Sequence, residues 1–294
     1  MTIHEPVLPA GWYPRDAAGI TRFLEPFKAG AASPGATASG IAAMSPHAGW
    51  YYSGAVSAAA FAALDKSADT IVILGGHLAA RSPVLLVTED AYRSPLGLMD
   101  IDGELRAALC TAFGKTGHPW AADRYRDNTV EVLVPLAHYF FPRSRLLALR
   151  LPADSSSFQT GQSLADAAKA LGRKIVVIAS TDLTHYGPNY GFSPQGQGAR
   201  ALAWMREVND RRFIDAVLEG NPETVLLRAE EESSACSAGA VLGALGFACA
   251  FSGDAARRSG AELLAYGTSA DVAEDPHGGD IPDSFVGYAA ITWR

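Results

Sequence analysis

The sequence predicts an α/β protein, a three-layer sandwich with a mixed, partly parallel central sheet. Three observations carry this. Short apolar, β-branched runs alternate with segments of helical period along most of the chain. Those runs stop abruptly at Gly, Ser or Pro, as buried strands do when their carboxyl ends open onto a crevice. Three segments place a histidine just past such a stop: AAMSPHAGWYYSG carries His47, TIVILGGH carries His77, and KIVVIASTDLTHYG carries Asp182 and His185. A lone histidine of this kind is ordinarily a satisfied structural residue. Repetition at three strand ends is hard to explain by packing and points to one polar site, built around a metal.

Taken in order, strands are expected at Ile41 to Ser45, Thr70 to Leu74, Val84 to Thr88, Arg145 to Leu151, Lys174 to Ser180, Glu262 to Tyr266 and Phe285 to Trp293. Helical period is found over Ala55 to Leu64, Gly103 to Phe113, Thr129 to Phe140, Phe158 to Leu171, Ala199 to Leu218 and Ala235 to Phe247. Loops are expected at Gly30 to Gly40, Gly187 to Gly198 and Asp271 to Asp283, the second directly after His185. No Pro/Ser-rich or charged linker divides the 294 residues, so one domain, 1–294, is expected.

Composition excludes several classes. Hydrophobic content of 48% against 19% charged residues suits a large buried core rather than a disordered or fibrous chain. A net charge of −7, with Lys and Arg scattered, argues against nucleic acid or an anionic membrane as partner. MTIHEPVLPAGWYPRD has neither a basic nor an apolar leader region, and no apolar run approaches the roughly 20 residues that span a bilayer, so a cytoplasmic location is expected. Three cysteines are too few and too irregular for a disulfide framework or a zinc ribbon.

The chemistry-bearing residues follow. In SPHAGWYYSG, Pro46 ends the strand, Gly49 permits a tight turn and Ser53 is placed to cap a helix from near Ala55. His47 is thus held on a stiff turn, with Trp50, Tyr51 and Tyr52 as aromatic walls or as core. Gly75 and Gly76 before His77 allow close approach of a ligand or a neighbouring strand. Asp182 and His185, three apart after a very apolar strand, have the spacing for a carboxylate to orient an imidazole as general base or ligand; a capping Asp182 beside a surface His185 is the competing reading. Cys236 in EESSACSAGAVLGAL stands at a helix start, where a thiol ionises readily for nucleophilic attack or metal ligation. Cys110 and Cys249 lie in apolar runs as packing residues.

The ordered set AGWYP (Ala10 to Pro14), SPHAGWYYSG (Ser45 to Gly54), GGH (Gly75 to His77), STDLTHYG (Ser180 to Gly187), the Cys236 segment and SFVGYAAITW (Ser284 to Trp293) resembles the Memo family, which in bacteria includes protein B of the AmmeMemoRadiSam system. The resemblance spans nearly the whole chain. It implies a fold shared with class III extradiol dioxygenases of the LigB type, in which a non-haem iron sits near the ends of sheet strands. Carried over by position, the metal histidines fall on His47 and His77, the site cysteine on Cys236, and the accompanying Asp and His on Asp182 and His185. Where the dioxygenases use a carboxylate this pattern has the cysteine, a softer set that accepts iron (Fe2+) first and copper or zinc as alternatives. The family segment EHSxE is here Asp127, Asn128, Thr129, Val130, Glu131, so Asn128 replaces its histidine. Ser237 replaces the Gly after the cysteine, and the lead into His77 is Gly75 and Gly76 rather than the usual GPxH or a similar sequence.

The implied function is a metal-dependent oxidoreductase on a small organic substrate, with His185, oriented by Asp182, moving a proton. The alternative is a non-catalytic metal- or peptide-binding protein that keeps the pocket. A zinc hydrolase is disfavoured by the absence of HExxH. By resemblance alone, an Ammecr-like protein and a radical SAM protein are implied as partners.

Overall fold

The computed structural model describes residues 1–28, 39–125, 127–251, 260–272 and 281–294. Most of the loops expected at Gly30 to Gly40 and Asp271 to Asp283, with His277, lies outside them. The strands are β1 (Ile3–His4), β2 (Ala42–Ser45), β3 (Thr70–Leu78), β4 (Val84–Leu86), β5 (Ala91–Ser94), β6 (Gly97–Asp100), β7 (Trp120–Ala122), β8 (Arg145–Pro152), β9 (Ile175–Ser180), β10 (His185–Tyr186), β11 (Ala261–Thr268) and β12 (Phe285–Trp293). The helices are α1 (Ala17–Lys28), α2 (Trp50–Ala63), α3 (Gly103–Thr116), α4 (Asn128–Glu131), α5 (Val134–Phe140), α6 (Ser156–Ala170), α7 (Ala199–Trp204), α8 (Asp210–Glu219), α9 (Pro222–Glu232), α10 (Ala238–Phe251) and α11 (Ser269–Val272).

Among the described residues, nine strands form the main sheet in the order β10-β12-β2-β9-β3-β8-β4-β7, with β11 added on β12; β1, β5 and β6 form a small second sheet. The neighbours β2, β9, β3 and β8 are parallel, whereas β12 is antiparallel to β2, which makes the sheet mixed as the sequence predicts. Register then sets the site. Ser45 pairs with Ser180 and Leu74 with Ala179, so the pairing among three adjacent parallel strands stops at nearly one level, while β3 runs on to Leu78 beside β8. His47 and Asp182 follow the ends of β2 and β9, and His77 lies in the part of β3 beyond its last pair with β9, on the edge where α/β sheets bind ligands.

Helices cover both faces of β3. A side chain built at Gly76 would meet Ser237, and one at Gly243 would meet Leu74, so this face carries α10; a side chain at Gly75, pointing the other way, would meet Thr129 and Val130 of α4. Helix α10, AGAVLGALGFACAF, is apolar all round because it is a core helix, buried from Ala238 to Phe247. Its small residues let neighbours come close. A Cβ at Gly239 would lie 2.1 Å from the Pro152 carbonyl oxygen, and one at Gly161 of α6 would lie 1.9 Å from that of Gly243. Gly161→Ala is therefore expected to destabilise the protein by about 2 kcal/mol or more, since overpacking outweighs alanine's better helix propensity. Urea unfolding measures this; an unchanged midpoint would mean that the two helices are not in backbone contact.

Several boundaries differ from the sequence reading. Helix α2 starts at Trp50, not near Ala55, with Gly49 at its amino-terminal cap; Ser53 lies inside the first turn and donates to the Ala48 carbonyl instead of capping. Strand β3 runs on through Gly75, Gly76 and His77 to Leu78 with an irregularity after Gly75. The helix expected over Thr129 to Phe140 is two helices, with Pro135 near the start of the second, where a missing N–H costs little. The one over Ala199 to Leu218 contains a π turn at Met205–Asn209.

Candidate functional site

The structure brings His47, His77 and Cys236 together, with one ligand-capable atom of each within 4.8 Å of the others. The three reach this point from β2, β3 and the segment leading into α10. His47 is buried; its Nε2 is 3.3 Å from Cys236 Sγ and its Nδ1 is 3.0 Å from Ser180 Oγ. The rings of His47 and His77 meet edge to face at 4.9 Å. His77, at φ 57°, has a left-handed backbone, uncommon for a residue with a side chain, and its Nδ1 is 3.1 Å from Asp127 Oδ2. The glycines before it serve close packing: a Cβ on Gly76 would be 2.3 Å from the Ser237 side chain, so Gly76 admits the cysteine segment against β3.

Asp182 links the parts. Its Oδ1 accepts the His47 backbone N–H at 2.8 Å, and its carbonyl accepts the Cys236 N–H at 3.3 Å. Its Oδ2 lies 3.8 Å from His47 Nε2 and 3.9 Å from His185 Nε2, so the carboxylate stands between the two imidazoles without a direct bond to either ring. It is not a helix cap. His185 stands on β10, held to Val286 of β12, with Tyr190 against its ring.

These residues open onto a cleft of about 600 Å³ lined by His47, His77, Asn128, Asp182 and His185, with Trp12, Tyr51, Tyr52, Tyr190 and Tyr288 as aromatic walls. Tyr190 and Asn189 come from the segment after His185, read from sequence as a loop. Tyr51 and Tyr52 line the cleft, whereas Trp50 is core and donates from its indole to the Val132 carbonyl. Cys236 is not part of that lining; it borders a separate cavity, of about 880 Å³, beside the amino-terminal turns of α6 and α10. Asn128 donates to the His47 carbonyl at 3.1 Å, so the residue in place of the family's histidine supports the turn. Of the other histidines, His118 lies by Thr160 and His138 by Ser94, away from the cluster.

Sequence reasoning missed the buried charges behind the cluster. Arg150 of β8, 5% exposed, donates to the Gly76 carbonyl and pairs with Asp127 at 3.2 Å and Asp123 at 3.4 Å. Glu131 accepts the N–H groups of Val7 and Leu8 and the Tyr13 hydroxyl, tying down the segment that brings Trp12 to the cleft. Both had a signal, a single charge inside an apolar run (LLALRLP and TVEVLV), since such residues are rarely buried unless paired.

Electrostatically, the histidines and the cysteine favour each other's charged forms. Burial opposes charge on Cys236, but His47 and His77 outweigh it and hold the thiol well below its usual range. Burial likewise opposes charge on His77, yet the bonds to Asp127 and Cys236 raise it to about 10. Burial pushes the Asp182 carboxyl up. For Asp127, bonds from His77 and Thr129 and the charge of Arg150 overcome burial and keep the carboxyl ionised into strong acid. A raised histidine contributes stability fully below its usual 6.5 and loses it as pH rises through its folded value. The stability lost on Asp127→Asn should therefore be largest near pH 6 and shrink as pH rises towards about 10. Thermal unfolding of both proteins with chelator present checks this; a gap that widens with pH would contradict the pairing.

Two histidines from β2 and β3 beside an aromatic-walled cleft, joined by a cysteine from the segment leading into α10, define an α/β protein with a composite polar centre. This chain belongs to the family of Memo-like proteins, whose model matches residues 5–292. It is 35% identical over 259 residues to a MEMO1 family protein of Methanococcoides burtonii, covering 85% of each chain. It is 28% identical over 305 residues to one of Thermococcus onnurineus, covering 99% of each. A solved structure of an uncharacterized Escherichia coli K12 protein aligns with 87% of this chain and 100% of its own, at 12% identity and TM-score 0.49.

Proposed function

We propose that His47, His77 and Cys236 hold one metal ion, iron(II) first and copper or zinc as alternatives, and that the protein is a non-haem metal-dependent oxidoreductase, dioxygenase-like, acting on a small organic molecule in the cleft. The convergence of the three donor atoms within 4.8 Å carries this reading. The donors fit. Tetrahedral geometry with ordinary metal–nitrogen and metal–sulfur lengths separates two such ligands by roughly 3.5 Å, and His47 Nε2 lies 3.3 Å from Cys236 Sγ. Asp127 and Ser180 address the Nδ1 atoms, which orients each ring and leaves Nε2 for the cluster.

When bound, the metal supplies a Lewis-acidic, redox-active centre with open positions. The protein does the rest. Trp12, Tyr52, Tyr190 and Tyr288 hold a flat organic molecule and limit water, while the His185 imidazole, whose Nε2 faces the Asp182 carboxylate, takes or returns a proton. Protein purified without oxygen should carry about one ion per chain by elemental analysis. Its ferrous form should show metal-dependent O2 uptake with some member of a panel of catechols and other electron-rich acids. Uptake no greater than that of Cys236→Ala for every compound would replace the enzyme reading with one of metal or peptide binding.

A further inference from the structure

Asp210 is fully buried and lies outside the cleft, yet it is bonded to the loop that carries Asp182 and His185. Its Oδ1 accepts both the Thr184 backbone N–H, at 3.1 Å, and the Thr184 hydroxyl; its Oδ2 accepts the Tyr266 hydroxyl at 2.7 Å. Asn209 beside it donates to Thr184 Oγ1 and to the Glu232 carbonyl, each at 2.9 Å. Two consecutive residues of a regular helix point about 100° apart. Here both reach Thr184, and the π turn that ends at Asn209, closed by the Asp210 N–H on the Met205 carbonyl, is the local change of winding that accompanies this.

The opposite side is fitted to the same carboxyl. A Cβ on Gly287 of β12 would lie 2.0 Å from Asp210 Oδ2, so glycine is required there. Gly287 itself accepts the Leu183 N–H and donates to the Thr184 carbonyl. Burial pushes the Asp210 carboxyl up to about 7 against its hydrogen bonds, so an acid here is costly to keep. The loop it grips is the one through which the centre is arranged: Asp182 Oδ1 holds the His47 N–H, the Asp182 carbonyl holds the Cys236 N–H, and Thr181 Oγ1 accepts the Ser237 N–H at 3.1 Å.

We propose that Asp210 is the positioning residue of this centre, fixing the Thr181 to His185 loop through Thr184 so that Asp182 and His185 keep their places relative to His47 and Cys236. Its catalytic consequence rests on the oxidoreductase reading; its structural consequence does not. Asn in this position keeps an acceptor for Thr184 and gives Tyr266 a donor, so Asp210→Asn should stay near wild type. Asp210→Ala removes the acceptor. Thr184→Val removes the hydroxyl from the same contact at almost constant shape and serves if the alanine variant fails to fold.

The test is NMR of the metal-free protein, following the His47 amide and the His185 ring nitrogens, with kinetics on the loaded protein in parallel. Asp210→Ala and Thr184→Val, folded by circular dichroism, should shift both signals, and Asp210→Asn should restore them. In the loaded protein, kcat should fall about 10- to 100-fold with KM little changed, the size of effect that misplacing a reacting group produces. Unshifted signals in a folded Asp210→Ala protein overturn the proposal, as do unshifted signals in Thr184→Val if the alanine variant does not fold. Shifted signals in a protein whose wild type has no metal-dependent activity uphold the positioning role and remove the oxidoreductase reading instead.

Discussion

Cys236→Ala should fold normally and lose metal affinity by about 100-fold or more. Even residues that only hydrogen-bond a ligand are typically worth 10- to 100-fold in affinity, and this substitution deletes a donor outright. The fold should survive because the thiol's contacts are polar: His47 Nε2 at 3.3 Å and, more distantly, the Asp182 carbonyl, Thr181 Oγ1 and Ser237 Oγ. The backbone bond from the Cys236 N–H to the Asp182 carbonyl remains. Competition against a chelator gives the affinity, and the cobalt(II) protein should lose its thiolate charge-transfer absorption. His118→Ala and His138→Ala should bind metal as wild type does. Unchanged metal content in Cys236→Ala would falsify the ligand assignment.

The parts of this centre that lie at strand ends were legible in the sequence, because a β-branched run that stops at Gly, Ser or Pro reports both a buried strand and its exit. That logic located His47 and Asp182 past the ends of β2 and β9, and it pointed to His77 although β3 continues through Gly75 and Gly76 to Leu78. Their mutual distance was not legible, since it depends on strand order and on the pairing of Ser45 with Ser180. Gly75 and Gly76 could be read as sites of close approach, but only the folded chain shows that Ser237 and Thr129 are what approach. The start of α2 was misread because Ser53 is a good cap by type, whereas the preceding Gly49 begins the helix and spends Ser53 on the Ala48 carbonyl. Long-range pairing is invisible to periodicity: Arg150 with Asp127, and Asp210 with Thr184, join residues whose local patterns say only strand or helix.

His185→Gln should keep its metal and lose turnover by 10²- to 10⁴-fold, the usual cost of a missing general acid or base. Glutamine matches the reach of the ring and can still hydrogen-bond, but it does not titrate. His185 is not one of the three converging donors, and its ring is about one-third exposed at the cleft, where a substrate could meet it. Asp182→Asn should behave differently, because Asp182 serves His47 as well as His185. Its Oδ1 holds the His47 N–H and its Oδ2 faces His47 Nε2 at 3.8 Å, so this variant should lower both metal affinity and turnover. Metal titration and single-turnover kinetics on the two variants separate the roles. If His185→Gln turns over like wild type while Asp182→Asn loses metal, Asp182 is a support for the ligands alone and the proton must move through another group.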